Sequence, residues 1–205
     1  MTSIPPVINL TGKFALITGA SSGIGRVTAL LFRELGASVV VVARNEARLN
    51  DLVTELNKIS KEGTVHAVPA DVTKESDVTN LFKVVREKFG EKLDILFPNV
   101  LAYNVSKAGV DHLTRCVALE LAAKGVRVNC VNPGVTVTEL HKRSGMDKDR
   151  YAAFLEHSKT THALGRPGEA VEVARAIAFL ASDAASFITG ATLPVDGGRH
   201  AMCPR

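Results

Sequence analysis

The chain has 205 residues, of which 46% are hydrophobic and 22% charged, and this length and composition fit one globular domain. Its net charge is +4, but the basic residues are scattered, so we expect no nucleic-acid partner. The three cysteines follow no disulfide or metal-ligand spacing, and no apolar run is long enough for a signal peptide or a membrane span. We therefore expect reduced thiols, no metal site, no membrane partner and a cytoplasmic location.

The first half of the chain alternates short apolar runs with amphipathic stretches. Such runs predict buried strands, and apolar residues spaced three and four apart predict helices. The predicted strands are 14–18, 39–43, 65–69 and 93–97, and the predicted helices are 25–35, 45–59 and 76–89. This order predicts parallel pairing with right-handed crossovers.

The alternation changes after residue 97. Only a loop fits before a long helix predicted at 106–124, which leads to a strand at 127–131. Residues 133–167 are predicted to be irregular, followed by a helix at 168–182 and a last strand at 192–195. Six strands are thus predicted in a single doubly wound parallel α/β domain covering residues 1–205.

A glycine-rich loop joins the first predicted strand to the first helix. Its glycines permit a tight turn and a close approach of the backbone to a pyrophosphate, and the following helix offers N–H groups at its positive dipole end. Ser21 and Ser22 can add hydroxyl donors. The loop, which predicts a dinucleotide phosphate site, reads Thr18-Gly19-Ala20-Ser21-Ser22-Gly23-Ile24-Gly25.

Five motifs in the same order resemble those of the short-chain dehydrogenase/reductase family, over nearly the whole chain. They are the glycine loop, which fits TGxxxGIG; Asp71-Val72, at the family's adenine-contacting position; Tyr103-x3-Lys107, its YxxxK pair; Asn132-Pro133-Gly134 with Thr136 and Thr138, its motif beside the nicotinamide; and Asp196-Gly197-Gly198, its usual ending. The style of the sequence is most similar to the 3-oxoacyl-carrier-protein-reductase-like branch.

The resemblance implies a Rossmann-like fold, a nicotinamide cofactor and the interconversion of a small-molecule carbonyl and a secondary alcohol, in a family that is usually homo-oligomeric. It implies catalytic roles for Tyr103 and Lys107. The implied cofactor-binding residues are Gly19, Ser21, Ser22, Gly23, Ile24, Gly25, Arg44, Asp71, Val72, Tyr103, Lys107, Pro133, Gly134, Thr136 and Thr138.

Arg44 follows the second predicted strand, where an acidic residue would accept hydrogen bonds from the ribose 2′-hydroxyl of NAD. Its guanidinium instead offers a planar, permanently charged fork for a 2′-phosphate. We therefore predict a preference for NADPH, with NAD as the second option.

Tyr103 and Lys107 lie four residues apart at the start of a predicted helix and so share one helix face. A phenol with its ordinary pKa of about 10 is a poor acid at neutral pH. A neighbouring ammonium stabilises the phenolate and lowers that pKa. The pair is therefore suited to giving a proton to an alkoxide as hydride arrives, and in the family the lysine also holds the nicotinamide ribose.

A strand and a helix of the family pattern are missing between the fourth strand and Tyr103. The family has an Asn-Asn-Ala-Gly turn after that strand, an asparagine on the next helix, and a carbonyl-polarising serine on the strand before the tyrosine. Here Phe97-Pro98-Asn99-Val100 follows directly, and Ser106 lies after Tyr103. We predict a sheet one central strand short, and a chain that is a poor reductase or none.

Three origins fit this shortening: a splice-type product or gene-model artefact, a stretch dropped from the sequence, or a natural pseudoenzyme whose sheet closed over the gap. Two functions stay open, namely an NADP(H)-dependent oxidoreductase and a cofactor-binding, impaired form that acts by association with full-length relatives. Residues 138–165 are predicted to form a lid over a partly apolar substrate, with Leu140, Met146, Tyr151, Phe154 and Leu155 as its apolar content.

Overall fold

A computed structural model describes residues 8–59, 63–90, 92–97, 105–139 and 146–202. Its strands are β1 (Phe14–Thr18), β2 (Ser38–Ala43), β3 (Val65–Pro69), β4 (Ile95–Phe97), β5 (Cys130–Pro133), β6 (Thr136–Val137), β7 (Gly168–Glu169) and β8 (Thr192–Val195). Its helices are α1 (Gly23–Glu34), α2 (Glu46–Ile59), α3 (Glu75–Phe89), α4 (Val105–Ala122), α5 (Lys148–Thr161) and α6 (Ala170–Ala181), with short 3-10 turns at Asp183–Ala185 and Arg199–Ala201.

The chain divides into two compact units. The first contains Met1–Val100 and Ala181–Ala184, and the second contains Leu101–Leu180 and Ala185–Arg205. Asp183 belongs to the first unit, where its carboxylate accepts a hydrogen bond from Lys13 Nζ at 3.1 Å. The single-domain boundary of 1–205 stays a prediction.

The first unit is built on a four-stranded parallel sheet in the order β3-β2-β1-β4. All six residues of β2 are buried, as expected of a strand paired on both edges and covered on both faces. Because the strands are parallel, their carboxyl ends meet at one edge of the sheet. From β1 the chain continues to β2 and β3 on one side and then returns to β4 on the other side of β1. The strand order therefore reverses beside β1.

Helices cover both faces of this sheet. On one face, α3 contributes Leu81, Val85 and Phe89 to a buried cluster that contains Leu16, Val40, Val42 and Val68 of the strands. The side chains that alternate with these point to the other face, and they too are fully buried: Ala15, Ile17, Val39 and Val41. The helices α1 and α2 contact the strands as well, so the predicted doubly wound parallel fold is confirmed.

The second unit contains two short parallel pairs, β5 with β8 and β6 with β7. Helix α4 lies against β5, where the Asp111 carboxylate accepts hydrogen bonds from Asn132 Nδ2 at 3.3 and 3.4 Å. Cys116 and Cys130 are both free.

The strand predicted at 127–131 lies at Cys130–Pro133 instead. The residues before it bind another loop through their side chains. Arg127 Nη1 donates to the carbonyl oxygens of Leu180 and Ile188, and Asn129 Nδ2 donates to that of Ile188. Side chains thus bind the end of α6 and the loop after it where further ladder bonds would form, and the strand begins three residues later.

The prediction that residues 133–167 are irregular is wrong, because the segment contains β6 and α5. The helix was missed because it has a weak apolar face, with only Tyr151 and Ser158 buried among its residues. A capping signal was present: the side chain of Asp147 accepts a hydrogen bond from the backbone N–H of Arg150 at 2.8 Å.

Six strands were predicted and eight are described, of which β6 and β7 have two residues each. Among the described residues, β4 pairs only with β1 and β5 only with β8. These are the two strands that flank the proposed gap after residue 97.

Candidate functional site

The loops that follow β1, β2 and β3 lie together at the carboxyl edge of the four-stranded sheet. Backbone hydrogen bonds tie the loops after β1 and β3 to the end of β2: the N–H of Ala20 donates to the carbonyl oxygen of Val42 at 3.1 Å, and the N–H of Ala70 to that of Ala43 at 3.1 Å. The glycine loop is therefore fixed beside the end of β2, where Arg44 follows, and at the reversal of strand order. Open parallel sheets bind ligands at such a position.

The glycine loop turns tightly because its backbone approaches itself. Gly19 and Gly23 have φ angles of 64° and 56°, a region that favours glycine. A Cβ atom on Gly25 would lie 2.6 Å from the carbonyl oxygen of Gly19 and 2.9 Å from its carbonyl carbon. The loop thus needs glycine at all three positions, and α1 begins at Gly23 with its N–H groups at the carboxyl edge of the sheet.

We predict that Gly25→Ala distorts the loop, lowers stability by about 1–3 kcal/mol and weakens NADPH binding by about tenfold or more. The physical reason is the contact with Gly19 backbone atoms, which no side-chain rotation can relieve. Urea unfolding and a fluorescence titration with NADPH measure the two effects.

Gly109→Ala is the matched control, because a Cβ atom there meets nothing within 4 Å. Alanine within α4 should raise stability by roughly 0.5–1 kcal/mol and leave NADPH binding unchanged. Equal NADPH affinity in the Gly25→Ala variant would contradict the loop's predicted role.

Arg44 and Asp71 follow neighbouring strands at the same edge. Arg44 is exposed, and Asp71 is half-buried. The Asp71 carboxylate accepts hydrogen bonds from the N–H and hydroxyl of Thr73, at 3.1 and 2.8 Å. These bonds, with a smaller contribution from the charge of Arg44, hold the pKa of Asp71 below its ordinary value. Val72, beside it, leaves 45% of its surface exposed, an apolar contact area for a ring.

The predicted nicotinamide motif lies in the second unit, at the ends of β5 and β6. The N–H of Gly134 donates to the carbonyl oxygen of Val195 at 3.1 Å, and Thr136 Oγ1 donates to the carbonyl oxygen of Gly134 at 3.1 Å. Pro133 ends β5 opposite Val195. The carbonyl oxygen of Thr138 accepts a hydrogen bond from the hydroxyl of Tyr151 at 3.1 Å.

The predicted catalytic pair is only partly described. Tyr103, like Asn99, lies outside the described residues, and Lys107 is described only as part of the first turn of α4. Asp111 follows one helical turn later and contacts Asn132, which precedes Pro133 on β5. Asp111 was not among the predicted site residues, and the structure shows its contact with Asn132 of the predicted motif.

Both ends of the predicted lid, residues 138–165, make hydrogen bonds: the Thr138 carbonyl oxygen accepts one from Tyr151, and the N–H of Leu164 donates one to Gly197. Leu140 lies outside the described residues. Tyr151 leaves 8% of its surface exposed and its hydroxyl binds the chain at Thr138, so this side chain packs inward. After the lid, Arg166 forms a two-bond ion pair with Glu172, at 2.9 and 2.6 Å. The N–H of Glu169 donates to the same carboxylate, which closes the turn into α6.

The hydrogen bonds from Arg166, followed by that from the backbone of Glu169, lower the pKa of Glu172 to about 2. This stabilisation is complete above the ordinary value of 4.5 and is lost as the pH falls through about 2. The side chain is partly solvated, so we expect Glu172→Gln to lower stability at pH 7 by no more than about 1 kcal/mol. Urea unfolding between pH 7 and pH 2.5 should show this difference shrinking at the acid end.

Glu156→Gln is the control, because it removes a more exposed ion pair with Lys159 on α5. It should change stability less than Glu172→Gln at neutral pH. A Glu172 carboxyl that titrates near its ordinary value by carbon NMR would contradict the assignment.

Among the described residues, no helix is both long and apolar enough to cross a membrane.

The glycine loop lies between the first parallel strand and its helix, at the point where the strand order reverses. This combination is typical of dinucleotide-binding α/β proteins. Residues 13–101 match the family described as short chain dehydrogenase, and residues 96–200 match the one described as Enoyl-(Acyl carrier protein) reductase. The chain belongs to the short-chain dehydrogenase/reductase family.

Relatives and solved structures agree with this membership. The chain is 32% identical to glucose 1-dehydrogenase of Gluconobacter oxydans (strain 621H), with 91% of each chain covered. It is 31% identical to 3-oxoacyl-[acyl-carrier-protein] reductase of Rickettsia prowazekii (strain Madrid E), with 93% of this chain and 98% of the relative covered. A crystal structure of a short-chain type dehydrogenase/reductase from Mycobacterium marinum is 28% identical, has a TM-score of 0.80, and covers 96% and 98% of the two chains.

These alignments are longer than the chain itself. The alignment with glucose 1-dehydrogenase runs over 250 residues and the chain has 205, so at least 45 positions of the relative face a gap. The two family matches meet at residues 96–101. The strand and helix predicted to be missing belong at this point of the chain.

Proposed function

We propose that this chain is an NADP(H)-binding member of its family, built to interconvert a carbonyl and a secondary alcohol. The observation that carries the proposal is the glycine loop beside the end of β2, with Gly25 packed against Gly19 and Arg44 at the next loop. A loop of this kind receives the pyrophosphate, and the residue after β2 faces the adenosine ribose. The proposed substrate is a small molecule and the proposed location is the cytoplasm. Homo-oligomers are usual in the family.

Arg44 supports NADPH over NADH. It is exposed at the carboxyl edge of the sheet, and an exposed guanidinium can bind both oxygens of a 2′-phosphate. The charge of Arg44 acts on Asp71, but the Asp71 carboxylate accepts its hydrogen bonds from Thr73. Arg44 is therefore not drawn into a tight ion pair with Asp71, and its charge is available to a phosphate.

We predict that the chain binds NADPH about tenfold or more tightly than NADH, because one charge-assisted contact to the 2′-phosphate contributes about 1.5–3 kcal/mol. Arg44→Asp should remove this preference and favour NADH. Calorimetric titration of NADPH and of NADH into the unaltered chain and into the Arg44→Asp variant measures this preference. Arg48→Asp, on the exposed side of α2, is the charge-matched control and should keep the NADPH preference.

The proposed catalytic residues are Tyr103 and Lys107. Lys107 precedes Asp111 by one turn of α4, and the Asp111 carboxylate accepts a hydrogen bond from Asn132 of the proposed nicotinamide motif. This places the start of α4 and the motif in one unit of the structure. The pair can supply a proton, but no residue of the sequence stands where the family has its carbonyl-polarising serine.

A second candidate function is favoured by the shortening of the chain. A relative aligned over 250 residues has positions that this chain cannot fill, and β4 and β5 each have one ladder partner among the described residues. In this second candidate the chain binds cofactor, catalyses poorly or not at all, and acts by association with full-length relatives.

We predict that restoring the missing strand and helix from a full-length relative after residue 97 raises the rate of NADPH oxidation by about a hundredfold or more, because one fixed donor to a developing oxyanion is worth that much. NADPH oxidation is measured with 3-oxoacyl esters, quinones and ketones, and thermal melts compare stability. Tyr103→Phe in the restored protein should abolish turnover and leave NADPH binding intact. Equal rates and melting temperatures with and without the segment would favour the active-enzyme reading of the present chain.

A further inference from the structure

His162 is a buried histidine at the end of α5 that makes hydrogen bonds at both ring nitrogens. Only 3% of its surface is exposed. Its Nε2 accepts a hydrogen bond from the backbone N–H of Val135 at 3.0 Å. Its Nδ1 lies 2.8 Å from the carbonyl oxygen of Ser158 and 3.2 Å from Thr161 Oγ1.

These contacts specify one form of the ring. The Ser158 carbonyl oxygen can only accept, so Nδ1 carries the proton. The Val135 N–H can only donate, so Nε2 carries none. Both partners therefore select the same neutral tautomer, assigned from hydrogen-bond partners rather than from observed hydrogens.

The ring also lies against the proposed nicotinamide motif. A Cβ atom on Gly134 would be 2.6 Å from His162 Nε2, which leaves no room for any other residue at position 134. Gly197, in the turn after β8, is close as well, since its Cβ atom would lie 3.5 Å from that of His162. The N–H of Leu164 donates to the carbonyl oxygen of Gly197 at 3.0 Å. His162 thus joins the end of α5, the turn after β5 and the turn after β8.

We propose that His162 is a positioning residue that fixes the backbone of Gly134, Val135 and Thr136 through its unprotonated Nε2. The consequence for the cofactor rests on the proposed function, in which this motif holds the nicotinamide. Removal of the acceptor would leave the Val135 N–H without its partner. Val135, His162 and Asp196 also line a pocket of about 270 Å³.

A histidine that only fills the core would show a different pattern. A ring that only fills space in the core is selected by its shape. The hydrogen bonds of His162 also specify which ring nitrogen carries the proton, and they join backbone groups of separate segments. Sequence spacing gave no sign of it, because His162 and Val135 are 27 residues apart. A glutamine can place an oxygen where Nε2 stands, and an asparagine reaches only the position of Nδ1. The glutamine variant can therefore keep the contact with Val135, whereas the asparagine variant can keep only the contact with Ser158.

The experiment uses the full chain labelled with ¹⁵N. Long-range ¹H–¹⁵N spectra should show His162 neutral and protonated at Nδ1 at pH 7. His162→Asn should speed hydrogen exchange of the Val135 amide and raise the NADPH dissociation constant, each by about tenfold. His162→Gln should restore most of both values. His112→Leu, an exposed histidine of α4, should behave as the unaltered chain does.

A ring protonated at Nε2, or a Val135 amide whose exchange is unchanged in His162→Asn, would overturn the proposal. If His162→Asn does not fold, the proposal is tested by the tautomer of the unaltered chain and by hydrogen exchange of the Val135 amide in His162→Gln. A chain that binds no NADPH would overturn the proposed function alone, because the tautomer and the exchange rates do not depend on cofactor.

Discussion

A strand inside a parallel sheet has backbone groups on two edges, and both edges need partners. Among the described residues, β1 and β2 are paired on both edges, whereas β4 pairs only with β1 and β5 only with β8. This constraint is met differently in the two units. The loops that would bind phosphate follow fully paired strands, and the nicotinamide motif follows a strand with one partner.

The adenosine side of the proposed site depends on contiguous chain. The glycine loop, Arg44 and Asp71 all lie within residues 14–71 and follow β1, β2 and β3, whose mutual register is complete. The loops after β1 and β3 are each tied to β2 by a backbone hydrogen bond, from the N–H of Ala20 and from that of Ala70. Neither bond involves residues near position 97. The local geometry of these loops is therefore set by contacts within residues 14–71.

Sequence patterns predicted the elements whose bounds depend on neighbouring residues in the chain. The bounds of β1, β3 and β8 agree with the prediction because these runs are apolar and end at glycine, proline or charged residues. The start of β5 was wrong because Arg127 and Asn129 bind a loop some 60 residues away, which no local pattern reveals. Helix α5 was missed because it buries little apolar surface, and its capping residue Asp147 is a weaker signal than hydrophobic spacing. Tyr103 lies outside the described residues, so its role stays a prediction.

Side chains that bind backbone groups supplement the short ladders of the second unit. Tyr151 binds Thr138, His162 binds Val135, and Arg127 binds Leu180 and Ile188. Each such bond adds only about 1 kcal/mol net, yet its loss leaves a backbone group without a partner. Ladder bonds form and break together, whereas these bonds can be lost singly. A single substitution at one of these side chains is therefore expected to change the geometry of the proposed nicotinamide motif within the second unit.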